Sequence, residues 1–185
     1  MHRITLSIIL LFSATAATNV DASSYQLRDG SIVDPIQSVE GGDLSYSGNN
    51  LEPGAELYFA ELRGAALLFA DLTSADLRAA QLDGAMLISG DLTNARLTSA
   101  VLWQAKLSGE YLDGADLTGA NLIDATLMDS TITESQFVSA AAVTGVNLIG
   151  YTMSGWDLSG VDLTNANLTS AKLGGATLTL SLIHI

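Results

Sequence analysis

No cysteine occurs anywhere in the chain, which excludes disulfides, thiolate metal sites and thiol nucleophiles. Imidazole is nearly as scarce. The two histidines are His2 and His184, at the extreme ends, so the body of the chain cannot assemble a Ser-His-Asp arrangement. Basic charge is thin: 7 Lys plus Arg stand against 20 Asp plus Glu, for a formal net charge of -13. Such a surface lacks the basic footprint that releases counterions from nucleic acid or an anionic membrane. It favours solubility and admits cations or a basic partner. Aromatic residues are only 6% of a chain that is 48% hydrophobic. Ordinary globular interiors use more rings, so the expected interior is repetitive and built from Leu and Ala. Phosphate-cradling glycine loops, GxGxxG and the calcium nonapeptide GGxGxD are all missing. No cofactor is expected, beyond weak calcium binding by outward carboxylates.

Both ends read as separate from the working domain. Arg3 followed by the apolar run from Ile4 to Phe12 has the form of a signal peptide. The run is too short to span a bilayer as a mature helix. Cleavage is expected after Ala22, giving an exported protein (periplasmic, lumenal or extracellular). At the other end, residues 180–185 match in translation the mosaic-end adapter of transposase-based sequencing libraries. The natural chain is therefore expected to continue past Thr179, with His184 foreign to it.

What the chain does have is a period of five. From Leu57 to Leu127 every fifth residue is Leu, and Ile132 follows. Two positions before each stands a small residue, mostly Ala, as at Ala75, Ala95, Ala115 and Ala120, with Glu110 the exception. Neither the 3.6 period of a helix nor the alternation of a strand gives this spacing, and a fixed repeat is interpreted before local propensity. Ala75-Asp76-Leu77, Ala115-Asp116-Leu117-Thr118-Gly119 and Ala120-Asn121-Leu122 resemble the A(D/N)LXX motif of the pentapeptide-repeat family.

That resemblance implies an all-β fold, a right-handed quadrilateral β-helix in which each pentapeptide is one side of a square coil. The Leu and the Ala before it would point inward. The other three positions would face solvent, with coils stacked about 4.8 Å apart. Some acidic members of the family are rods that mimic duplex DNA and protect gyrase. Gyrase is cytoplasmic, so export argues against that role here, and an exported enzyme is less favoured still. The preferred reading is a non-catalytic scaffold or interaction module.

Residues 23–54 lack the repeat apart from Gly42-Asp43-Leu44 and Asn49-Asn50-Leu51, and are read as a segment covering the first coil. Pro53-Gly54 is read as a turn feeding that coil. The repeat then runs over 55–133. A second break follows. Thr133 and Gln136 have capping-box spacing, and Phe137, Ala140 and Ala141 share a helical face. A short helix near 134–142 is expected, within an insertion at 134–145. The alternative continues the coil through Phe137 and adds one residue. The repeat resumes over 146–179, with large Val146, Tyr151, Trp156 and Val161 at normally small sites.

Candidate chemistry is sparse. Asp71 and Asp91 should stack on one face, and Asp157 and Asp162 on adjacent faces. Paired-carboxylate hydrolysis needs a shared cleft, so no catalytic residue is assigned, and no metal ligand. Glu110 occupies an inward site, where an unpaired carboxylate is costly; it is expected to bend outward over the space left by Gly90. Twenty-residue stacking places Leu68, Met86, Ile88 and Met128 on one face, with Trp103 and Ile123 on the adjoining one. These six residues are the candidate interaction patch, for self-association or for a protein partner not otherwise identified.

Overall fold

The computed structural model describes residues 24–33, 36–41 and 49–182. The expected signal peptide, Gly42-Asp43-Leu44 and His184 lie outside these. The chain winds as a right-handed quadrilateral β-helix. Glu56 pairs in parallel with Asp76, Asp76 with Arg96 and Arg96 with Asp116, a constant step of twenty residues, or four pentapeptides per coil. Stacked along the axis, Leu57 to Leu127 are all buried, as are Leu148, Met153, Leu158 and Leu163. The small residues Ala65 to Ala85 and Ala95 to Ala105 are buried beside them.

Hydrogen bonding explains why five residues suffice. Within the unit around Leu97, the Leu N–H donates to Asp116 O at 2.8 Å, the Ser99 N–H to Thr118 O at 2.9 Å and the Arg96 N–H to Ala75 O at 2.9 Å. The Ala100 N–H closes the corner on Leu97 O at 2.9 Å. One N–H per unit remains, that of the residue just after Leu, and the Asp or Asn of the motif takes it. Asp91 accepts from Thr93 N–H at 2.9 Å, Asp116 from Thr118 at 3.0 Å and Asn121 from Ile123 at 3.0 Å. In the units that carry Asp or Asn, all five backbone donors are thereby satisfied. The motif's acidic or amide position is structural.

Apart from those at Gly90 and α1, the corners are i→i+3 turns with positive φ at the third residue, the geometry of type II. Glycine fills several of these, including Gly114 (φ 70) and Gly119 (φ 68). Others carry full side chains, among them Phe59 (φ 59) and Phe69 (φ 58), a conformation in which bulky residues are uncommon.

The segment before the repeat packs against the first coil. β1 (Tyr25–Gln26) pairs antiparallel with β2 (Ile32–Val33), and Tyr25 bridges Leu51. β3 (Gln37–Ser38) pairs antiparallel with β4 (Ala65–Ala66), and Leu27 bridges Ala70. Tyr25 and Ile36 are buried in the core. Pro53-Gly54 forms a turn closed by Ala55 N–H to Glu52 O at 3.1 Å, which absorbs the extra residue before Leu57.

At the second break both expectations hold in part. α1 (Glu134–Ser139) is helical, with the capping box of Thr133 and Gln136 fully formed. It ends three residues short of 142, because Ala140 returns to extended backbone and Ala141 N–H rejoins the ladder on Ala120 O at 2.9 Å. Ala141 is consequently exposed and not on a buried helical face. Phe137 keeps the core column, fully buried above Leu117. One residue is added: Asn121 pairs with Ala142 and Thr126 with Asn147, a step of twenty-one, before Asn147–Asn167 restores twenty.

Candidate functional site

The outward positions of the coil are the surface available for function. On the side built around Leu67, Leu87, Leu107 and Leu127, the register Ala66–Met86–Lys106–Thr126 aligns Leu68, Ile88, Ser108 and Met128 in one column. Leu68, Met86, Ile88 and Met128 are half-buried, as is Ile123 on the neighbouring side. Trp103 is the open one, at 42% exposure. The six sequence-derived patch residues thus fall on two adjoining sides, with Lys106 and Ser108 between them. Ile149 extends the column one coil further and was missed, because the added residue shifts it out of the twenty-residue count. Tyr58, Phe59 and Phe69 are more exposed than any of the six, Phe59 at 69%. They occupy the two positions after Leu57 and Leu67, so the repeat itself marked them as outward.

Asp157 and Asp162 both line an open groove beside α1. Asp71 and Asp91 do stack, as a parallel bridge pair. Arg28, from the leading segment, approaches Asp91 at 3.7 Å and lies 4.3 Å above the Tyr111 ring. Arg78 grips Asp76 with two donors, and Arg96 reaches the same carboxylate at 3.3 Å. Arg63 bridges Glu61, Gln81 and Asp83. Asp116 is held below the usual carboxylate range by hydrogen bonds from Thr118 and Thr98. Among the described residues no group of three or more His, Asp or Glu is placed to hold a metal ion.

Glu110 departs from expectation. It does not bend outward: it is 1% exposed and its carboxylate turns down to the coil below. There it accepts the Gly90 N–H at 2.9 Å. Where Ala85 and Ala95 donate to Leu82 and Leu92 to close their corners, Gly90 donates to this carboxylate. Gly90 has no Cβ, and the space a methyl would fill is taken by Glu110 Oε1 and Ala70 O. Burial pushes the Glu110 carboxyl up to about 8, with the Gly90 hydrogen bond opposing and Asp91 reinforcing the rise.

Around α1, side chains replace missing ladder bonds. Gln136 Nε2 donates to Leu112 O and Ala115 O, the carbonyls below the helix. Tyr151 OH donates to Ser130 O at 3.0 Å and Ile132 O at 2.6 Å. Glu134 accepts the Asp157 N–H at 2.9 Å. The Trp156 ring lies 6.0 Å from Phe137 and 5.9 Å from Tyr151. The large residues at 151 and 156 therefore fill the coil widened by the helix.

A leucine-cored square solenoid defines the class of right-handed β-helical rods. Pentapeptide repeats, in eight copies, match residues 55–94, 95–133 and 144–179, and the chain belongs to that family. No curated protein matches it. Among solved structures it is similar to a pentapeptide repeat protein of the Arabidopsis thaliana thylakoid lumen, at 27% identity and TM-score 0.47, over 52% of this chain and 66% of that one. It is also similar to HetL of the cyanobacterium Nostoc, involved in heterocyst differentiation regulation, at 32% identity and TM-score 0.34, over 70% and 62%. QnrB1, a plasmid-mediated fluoroquinolone resistance protein, aligns at 18% identity and TM-score 0.43, over 76% and 84%. The chain spans under two thirds of the length of the Arabidopsis and Nostoc proteins. Among the described residues no helix is long and apolar enough to cross a membrane.

Proposed function

We propose that this rod is an exported, non-catalytic interaction module that docks a protein partner, or a second copy, on the side bearing Leu68, Ile88, Met128 and Ile149. The observation that carries this is the alignment of those half-buried apolar side chains in one column, with exposed Trp103 and half-buried Ile123 alongside. A column of apolar side chains, interrupted at Ser108, on an otherwise acidic solenoid is the kind of patch that marks an interface. Export rests on the signal-peptide character of residues 1–22. The acidic DNA-mimic reading is weaker. A duplex mimic presents unbroken negative columns, whereas the acidic columns here carry Arg28, Arg63, Arg78 and Arg96, each paired with a carboxylate.

Changing Ile88→Glu together with Met128→Glu places two charges in the column without touching the core. Sedimentation of the full chain, alone and with co-purified protein, should show association in the wild type and its loss in the double variant. Unchanged association would remove the proposal.

A further inference from the structure

A second surface, on a different side of the rod, follows from α1. In regular coils the ladder runs upward through bonds such as Leu127 N–H to Asn147 O. At α1 that ladder is interrupted, because the Phe137 N–H turns back to Thr133 O and Ser139 closes the helix. Among the described residues, no N–H reaches the carbonyl oxygens of Asp157 and Ser159 on the opposite strand. An open-sided groove of about 480 Å³ lies between these lips. Phe137 and Val138 of α1 and residues 140–144 line one wall, and Asp157 with residues 159–162 the other. Val138 is 43% exposed there. The wall carries the Asp157 and Asp162 carboxylates and, among the described residues, no lysine or arginine.

We infer that this groove binds an extended polypeptide segment of a partner protein in which apolar residues alternate with lysine or arginine. Three features specify that occupant. The carbonyls of Asp157 and Ser159 accept N–H groups from an added strand. Val138 and Val161 receive the apolar side chains. The two carboxylates face the basic ones and disfavour an acidic segment. The groove is separate from the Leu68–Ile88–Met128 column, so either surface can fail without the other.

The probe is a peptide alternating valine and lysine, compared with its valine–glutamate counterpart. Binding to the full chain is read by Trp156 fluorescence and by amide NMR shifts. The lysine peptide should bind, move the amides of Val138 and residues 157–162, and bind more weakly as salt is raised. The glutamate peptide should not bind. Val138→Lys, on an exposed helical position that leaves folding intact, should weaken the lysine peptide by at least about tenfold. Ile88→Glu with Met128→Glu should leave it unchanged. Failure of the lysine peptide to bind, equal binding of both peptides, insensitivity to Val138→Lys, or shifts mapping elsewhere would each overturn the inference.

Discussion

The Glu110 carboxylate reaches one coil down the axis to the N–H of Gly90, 2.9 Å away, and occupies the space that a side chain at position 90 would need. The two residues are therefore one substitution in two parts. A Cβ at Gly90 would stand 2.7 Å from Ala70 O and 3.0 Å from Glu110 Oε1, so Gly90→Ala alone should cost roughly 1–3 kcal/mol by overpacking. Glu110→Ala alone should also destabilise, by leaving a void and an unpaired N–H. Together the changes remove the contact with Glu110 but leave the approach of the new Cβ to the Ala70 backbone, so the double variant should lose less stability than the two single losses summed while staying below the wild type. Urea denaturation of the four proteins checks this coupling; simply additive losses would contradict it.

The same carboxyl gives the rod an unusual dependence on pH. Its folded value is raised from 4.5 to about 8, so the folded protein holds a proton that the unfolded chain releases. Its contribution to stability is complete below 4.5 and is lost as pH rises towards 8. Asp116 has the opposite sign: its contribution is present above 3.8 and fades as pH falls through its lowered value, weakly because the group is exposed. Denaturation midpoints should decline from about pH 5 to about pH 8 in the wild type and be flatter over that range in Glu110→Gln. An unaltered slope in the variant would assign the effect elsewhere.

Inward and outward positions of one pentapeptide should differ sharply. Leu97 is fully buried, and Leu97→Ala should cost about 2–5 kcal/mol. Thr98→Ala should stay within about 0.5 kcal/mol, since its bond to Asp116 is exposed. Asn121→Ala strips the Ile123 N–H of its acceptor and should cost about 1 kcal/mol, while Asn121→Asp keeps it. Calorimetric melting of the variants reads all four.

At the helix, Gln136→Ala should orphan Leu112 O and Ala115 O, at about 1–3 kcal/mol. Tyr151→Phe should cost less, because the ring and its packing on Trp156 remain. Equal, negligible effects in chemical denaturation would mean that these side chains do not take over the ladder.

The stacking was legible because Leu at every fifth place admits one geometry, and the capping box named the start of α1. The end of α1 was not legible: Ala140 and Ala141 favour helix by composition, but the ladder bond to Ala120 O competes and wins. Glu110 was misjudged because desolvation argues for an outward carboxylate, whereas the absent Cβ at Gly90 and its free N–H admit one inside. Both facts depend on which residue lies one coil away. The apolar column could be listed from the period alone, but its half-buried packing could not.

Nothing in this rod closes on itself; coil leans only on coil. Between the coil of Phe137 and that of Leu158, the contacts rest partly on Glu134 and Tyr151 instead of on backbone alone. Amide exchange should accordingly divide into two cooperative blocks that meet at this seam, and tension applied along the axis should part the molecule there first.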